Sequence, residues 1–468
     1  MGPGAVTRSL RRDLSSALLF TAVATAAPLR AQAPAEAPGA AVGAPVIPAT
    51  PAGDALRAWL DAFNSGESTR IATYLRQFEP GTPLPVALMV RGQSGGFDLL
   101  TIERSEPRRI EFLLRARRGA AAAYGLLAVS ERAPGRVSRR VQPLGPSVSA
   151  ATRRIDAPTR ARVVAGAAAL LDTFYVVPDA ARRMGDSLRA RLARGAYDGY
   201  ANGLSFAARL DEELRAITND SHLHVQYSVR PLPPEPAADA DPAARPAPTP
   251  EQAARERREL DEANCGFRKA ERLDGNVGYV KFDFFADSAP CGPTAAAAMS
   301  FVAGTRALIL DLRENEGGRA SMVALVTSYL FDRRTHLDDV WTRATGRTRA
   351  LWTLDRVPGR RFGGAKPVVV LTSARTHSAA EAFAYDLRAL GRATIVGETT
   401  AGGAHLVRDR RLGDHFVLSV PYARAINPVT GTNWEGVGVV PDVQVPAGEA
   451  LARARHLLLQ PPHEKSRP

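Results

Sequence analysis

The chain has 468 residues, 45% of them apolar, and a formal net charge of +13; it is long for one domain and apolar enough to bury a sizeable core. The charge is almost wholly arginine, since the only lysines are Lys269, Lys281, Lys366 and Lys465. The arginines are scattered, without like-charge runs or interleaved aromatics, so compositional bias explains them better than a nucleic-acid or anionic-membrane surface.

Arg8, Arg11 and Arg12 precede an apolar stretch from Ser15 to Ala27, and Ala31-Gln32-Ala33 follows as a small-residue cleavage site. This order reads as a secretory signal peptide over 1–33, cleaved near Ala33, so the expected location is periplasmic or secreted. No later stretch reaches the roughly 18 apolar residues of a membrane helix, and no transmembrane segment is expected. An Ala/Pro-rich linker occupies 34–53. Leu56, Trp59, Leu60 and Phe63 lie at helical spacing in Asp54–Phe63. Strand-like runs follow at Pro85–Val90, Asp98–Ile102, Arg109–Leu114, Tyr124–Val129 and Arg136–Val141. Residues 54–145 therefore read as a small α+β accessory module, similar to the cone-shaped nuclear-transport-factor-two-like fold, with no polar constellation that would support chemistry.

A helical subdomain is expected over 151–230, with helices at Arg160–Phe174, Asp179–Arg194 and Gly203–Ile217. A Pro/Ala-rich loop over 231–256 interrupts it. From 257 to 455 strands and helices alternate, the pattern of an α/β layer fold. Strands are read at Val277–Phe282, Ala307–Leu310, Pro367–Thr372 and Ala393–Val396. The helices are Thr294–Val302, Arg319–Leu330 and Ser378–Leu390, and a hairpin spans Val407 to Val420. Residues 456–468 read as a tail. Cys265 and Cys291 are the only cysteines. In an oxidising compartment they could pair, closing a loop of about 25 residues for about 3 kcal/mol; they could equally be two unrelated small hydrophobes. Neither sits in the motif of a Cys nucleophile or a zinc site.

Two stretches carry the chemistry. Thr376-His377-Ser378-Ala379-Ala380-Glu381 follows a buried strand and opens a helix. Ser-x-x-Glu is a capping box, yet a serine at a helix start also sits beside unpaired backbone N–H groups and the positive end of the helix dipole. That setting suits a nucleophile whose attack builds negative charge nearby. The second stretch, Asp311-Leu312-Arg313-Glu314-Asn315-Glu316-Gly317-Gly318, is a β-to-α turn whose paired glycines expose N–H groups; it lacks the lysine and glycine spacing of a phosphate loop.

Together with Asn264-Cys265-Gly266-Phe267, Gly275 to Tyr279, Gly397-Glu398-Thr399-Thr400-Ala401-Gly402-Gly403, Asn433-Trp434-Glu435-Gly436-Val437-Gly438 and Pro441-Asp442, these stretches resemble, in order and spacing, the serine peptidase family of C-terminal processing peptidases, the tricorn core and interphotoreceptor retinoid-binding protein. The resemblance covers about 200 residues, with no PDZ module evident, and leaves the first 150 residues outside it. It implies a crotonase/Clp-like ββα catalytic domain with a helical N-terminal subdomain, to which this chain adds the small α+β module. It also implies an exported serine peptidase acting on peptides or unfolded proteins, without metal or cofactor and without nucleic acid as partner. The alternative is a binding protein that uses the same cleft for an apolar ligand.

Processing peptidases pair their serine with a lysine, whose position is Gly403 here. The tricorn-like branch instead uses a histidine, and Asp220-Ser221-His222-Leu223-His224-Val225 resembles that pattern. The resemblance thus assigns Ser378 as nucleophile, His222 as base, and Ser221 and Glu435 as the groups that orient it. Ala379 with Gly317 or Gly318 would supply the oxyanion hole. His224 and His405 remain rival bases, Glu398 a rival to Glu435. His377 adjoins the nucleophile, but side chains of sequence neighbours rarely meet.

Overall fold

The computed structural model describes residues 45–459, apart from 81, 83, 120–121, 132–134, 145–153, 219 and 233–248. The expected signal peptide and residues 34–44 of the linker lie outside the described residues. Within them no helix is long and apolar enough to cross a membrane. The chain divides into two compact units, Met1–Arg154 and Ile155–Pro468.

In the first unit Thr50 caps α1 (Pro51–Ser65) by accepting the Gly53 N–H at 3.1 Å, so this helix begins inside the expected linker. Two further helices follow, α2 (Ser68–Phe78) and α3 (Leu84–Ser94), and then an antiparallel meander β1 (Phe97–Glu106), β2 (Arg109–Ala116), β3 (Ala122–Val129) and β4 (Val137–Pro143). The run Pro85–Val90, expected as a strand, is helical: its proline stands in the first turn, where the missing N–H has no intrahelical partner to lose. Trp59, Phe63, Phe97 and Phe112 form the core, with ring centroids 5.5–6.1 Å apart. Gly125 admits the Phe112 ring, which any Cβ there would overlap.

The second unit opens with α4 (Ala157–Phe174), α5 (Pro178–Ala193) and α6 (Gly203–Thr218), followed by a short strand, β5 (His224–Tyr227). Next comes α7 (Pro250–Glu262), whose first half was expected as loop. A six-stranded sheet follows the order β15 (Val443–Gln444), β12 (Thr394–Gly397), β11 (Val368–Thr372), β8 (Ala307–Asp311), β7 (Val277–Phe282), β6 (Phe267–Leu273). Its neighbours are parallel except for the β6–β7 hairpin, which with α8 (Ser288–Val302) makes a ββα unit. Side chains alternate across a strand, and both faces of this sheet are buried. Leu308, Leu310, Val368 and Val370 pack under α8, α9 (Ala320–Ser328) and α10 (Ala379–Ala389). Ala307, Ile309, Val369 and Leu371 pack under α11 (Ala450–Leu459), which runs into the expected tail. This is the α/β architecture expected from the sequence. A disulfide joins Cys265, in the turn before β6, to Cys291 on α8, Cα–Cα 5.6 Å.

A second sheet has the order β10 (Arg347–Trp352), β9 (His336–Thr342), β14 (Phe416–Ile426), β13 (His405–Arg411). The expected hairpin is β13–β14. One end of the long β14 also pairs with β5, in the register Ser419↔His224 to Phe416↔Tyr227. This pairing anchors the turn 220–223, which lies far in sequence from the rest of the sheet.

Asp386 on α10 and Asp338 on β9 are both buried, and Asn427 Nδ2 donates to Asp386 Oδ1 at 2.9 Å. Asp386 Oδ2 has no partner among the described residues. Burial pushes both carboxyls up, Asp338 to about 7; the nearby Asp339 charge adds to the rise of Asp338, and the Asp338 charge adds to that of Asp386. A carboxyl raised in the folded state stabilises the fold below its unfolded value and loses that contribution as pH rises through the folded one. Stability should therefore fall between about pH 4 and 7 by up to about 1.4 kcal/mol per pH unit. Asp338→Asn should flatten that slope in denaturant melts; an unchanged slope would count against the raised Asp338 carboxyl.

Candidate active site

β11 ends at Thr372, and a tight connection leads to Ser378 at the start of α10. Ser378 adopts φ 54° and ψ −121°, a conformation rare for a residue with a side chain and stable only when its surroundings impose it. Several hydrogen bonds impose it here. Thr376 Oγ1 donates to the Leu312 carbonyl at 2.8 Å and accepts the Ser373 N–H at 3.0 Å. The His377 N–H reaches the Asn315 carbonyl at 3.1 Å, and Ser378 N–H donates to Glu381 Oε2 at 2.8 Å.

Glu381 is fully buried and does more than cap the helix. Its carboxylate also accepts the Thr400 hydroxyl, the Gly402 N–H at 2.7 Å and the Gly403 N–H at 2.8 Å. Burial raises its carboxyl above the usual range despite these bonds. From the other side Trp434 Nε1 donates to the Gly403 carbonyl at 2.9 Å, and Glu435 Oε2 accepts the N–H groups of Ala404 and His405 at 2.6 and 3.1 Å. The loop 400–405 is thus clamped between the nucleophile turn and the block 433–438.

Of the three oxyanion candidates, one is occupied. Gly317 N–H donates to Asn315 Oδ1 at 2.9 Å, whereas Gly318 N–H and Ala379 N–H have no acceptor among the described residues. Gly317 matters through its missing side chain: a Cβ there would lie 2.8 Å from the Ser378 Cβ.

His222, in the turn before β5, is 8% exposed. Its N–H donates to Asp220 Oδ1 at 2.9 Å, and its Nδ1 is buried without a partner among the described residues. The ring stacks on His377 with centroids 4.7 Å apart. Both rings press on Gly403: a Cβ there would overlap His377 Nε2 and lie 2.6 Å from His222 Cε1. Burial, then the nearby His377, pushes the His222 imidazole down to about 3, against the opposing pull of Asp220. His222 makes no hydrogen bond to Ser378 in this state; catalytic bonds commonly tighten only with substrate.

The expected orienting groups bond elsewhere. Ser221 Oγ lies 3.2 Å from His377 Nε2, not on His222. Glu435 turns to the loop backbone and stands 3.6 Å from His405 Nδ1. The carboxylate beside His222 is Asp220, whose Oδ2 accepts the Tyr175 hydroxyl at 3.0 Å and His405 Nδ1 at 2.8 Å. Burial acts to raise Asp220, but the His405 bond and charge outweigh it and hold the carboxyl below its ordinary value. Polar atoms of Asp220, His405 and Glu435 fall within 4.8 Å of one another. Asp220 Oδ2 accepts from Tyr175 and His405, and Glu435 Oε2 from two backbone N–H groups, so hydrogen bonds knit the trio to the surrounding loops. His224 is held by Arg215 at 3.0 Å and lies 3.4 Å from Asp211. Glu398 ties two turns by accepting Ala374 N–H at 3.1 Å and Ala447 N–H at 3.0 Å. Sequence reasoning did not weigh Asp220, which stands in the same short motif as His222 and accepts its N–H, and set aside His377, whose ring stacks on His222.

Comparison with known proteins follows the same division. Residues 276–445 match Peptidase family S41, and residues 157–260 match the N-terminal domain of peptidase S41 in eukaryotic IRBP. A chloroplastic C-terminal processing peptidase of Tetradesmus obliquus is 32% identical over 173 residues, 36% of this chain and 35% of that protein. The tricorn protease of Thermoplasma volcanium is 29% identical over 177 residues, 37% of this chain and 16% of that protein. The chain therefore spans about a third or less of the length of these relatives. A solved photosystem II D1 C-terminal processing protease superposes with a TM-score of 0.39 at 18% identity, covering 63% of this chain and 96% of that one.

The crowding at position 403 is testable. Gly403→Ala should displace both imidazoles and slow fluorophosphonate labelling of Ser378 by about 100-fold, with far-UV circular dichroism unchanged. Labelling at the wild-type rate would show that the rings do not depend on that space.

Proposed function

Because the chain belongs to peptidase family S41, we propose that it is an exported serine peptidase that hydrolyses peptide bonds of peptides or unfolded proteins through an acyl-enzyme on Ser378. The observation that carries this reading is the Ser378 turn. A serine is held at positive φ at the head of a helix, the Ala379 and Gly318 N–H groups have no acceptor among the described residues, and the buried ring of His222 stacks on the preceding residue, His377. A serine hydroxyl is a weak nucleophile until a base takes its proton, and His222, neutral across the physiological range, fits that role. In the reaction, Ser378 Oγ attacks the scissile carbonyl as His222 accepts the proton. Ala379 N–H and Gly318 N–H stabilise the oxyanion, a contribution worth about 10²–10³-fold per donor. The imidazolium, balanced by Asp220, then protonates the leaving amine, and water releases the acyl group by the same steps in reverse.

The basic, apolar and small-residue order of the first 33 residues supports action outside the cytoplasm. The network Tyr175–Asp220–His405 supports Asp220, in place of Ser221 and Glu435, as the group that holds His222.

Ser378→Ala should abolish both hydrolysis of an unfolded protein such as casein and fluorophosphonate labelling, with the melting temperature near that of wild type. His222→Ala should lower kcat by about 10²–10⁴-fold. A wild-type protein that neither hydrolyses nor labels, and that yields an apolar ligand to organic extraction, would transfer the reading to a binding protein.

A further inference from the structure

We infer that His377 is a positioning residue for the base: held by Ser221, its ring covers one face of His222 and fixes that ring against Gly403. This rests on the reading of His222 as base. The geometry is specific. The two rings are nearly parallel, 26° between planes at 4.7 Å. Ser221 and His222, consecutive in the chain, grip His377 from two directions, one through a hydroxyl 3.2 Å from Nε2 and one through the ring face. The backbone of His377 is fixed independently by its N–H to the Asn315 carbonyl. That same Asn315 takes the Gly317 N–H, so one asparagine holds both the stacking histidine and the loop that carries the Gly318 N–H.

The consequence concerns the pH range of the base. The titratable groups facing His222 come from every wall of its pocket: His377 from the nucleophile turn, His405 from β13 with Glu435 behind it, His224 from β5 and Asp220 from its own turn. Of those acting on the ring, Asp220 alone favours a charged imidazole; the three histidines and burial oppose it. His377 buries one face of the ring at stacking distance, and burial pushes the His377 imidazole itself down. A base kept free of its proton in acid stays able to accept one from Ser378 where an ordinary imidazole would be saturated.

The direct test reads His222 in the unreactive Ser378→Ala protein, by nuclear magnetic resonance of ring-labelled histidine across pH 3–9. His222 is expected to remain neutral down to below pH 5. Adding His377→Ala should raise its titration point by at least one pH unit, whereas His377→Phe, which keeps a flat ring in place, should hold it lower than the alanine variant does. An unmoved titration point in His377→Ala overturns the inference, and so does His377→Phe behaving like alanine. In the Ser378-containing enzyme the acid limb of kcat/KM should move with the titration point. Loss of hydrolysis at every pH in His377→Phe, with His222 unmoved, would make His377 the base itself and also overturn it. A protein without peptidase activity that still shows the His222 shift would refute the function and uphold the stacking role.

Discussion

The buried carboxylate of Glu381 accepts four hydrogen bonds, and three of them come from backbone or side chain of one distant loop. A carboxylate this deep is tolerated because its lone pairs are filled. Each bond also fixes a position the chemistry needs. Ser378 N–H is bound, so the Ser378 backbone cannot relax from its positive φ. Gly402 and Gly403 are bound, so the surface on which both imidazoles rest is set relative to the nucleophile. The Ser-x-x-Glu pattern that begins as a helix cap thus serves as the brace between two halves of the site.

The space above Gly403 is the second constraint, and it follows from the first. The brace holds the backbone of position 403 in place while its side chain is absent, and the rings of His222 and His377 fill the space a Cβ would take. Any side chain at this position would have to displace both rings.

Much of this was legible in the sequence, and the limits are physical. The strands β7, β8, β11 and β12 announced themselves because both their faces are buried, which writes a continuous apolar run bounded by turn residues. The family resemblance was readable through ordered blocks, which a family match over residues 276–445 bears out. What failed were judgements that need a partner's position. Pro85–Val90 has strand-like composition, but packing against α2 and α1 makes it helical. Glu435 reads as an orienting carboxylate, and its Oε2 accepts two N–H groups of a loop whose path no local pattern reveals. His377 was set aside because sequence neighbours rarely touch through side chains; its partner is not Ser378 but a residue 155 positions earlier.

That separation places a demand on folding as well as on function. His222 arrives with a turn that owes its place to the pairing of four residues of β5 with one end of β14, while β14 also pairs with β9 and β13. The Ser378 turn belongs to the other sheet, between β11 and α10. The site therefore exists only once both sheets have formed and the loop 400–405 has been clamped by Glu381 on one side and Trp434 and Glu435 on the other. Contacts of such long sequence separation form late and add little until the loops that precede them have closed. A partly folded chain would hold Ser378 and His222 on different sheets, without the brace that brings them together, until the last of these contacts is made.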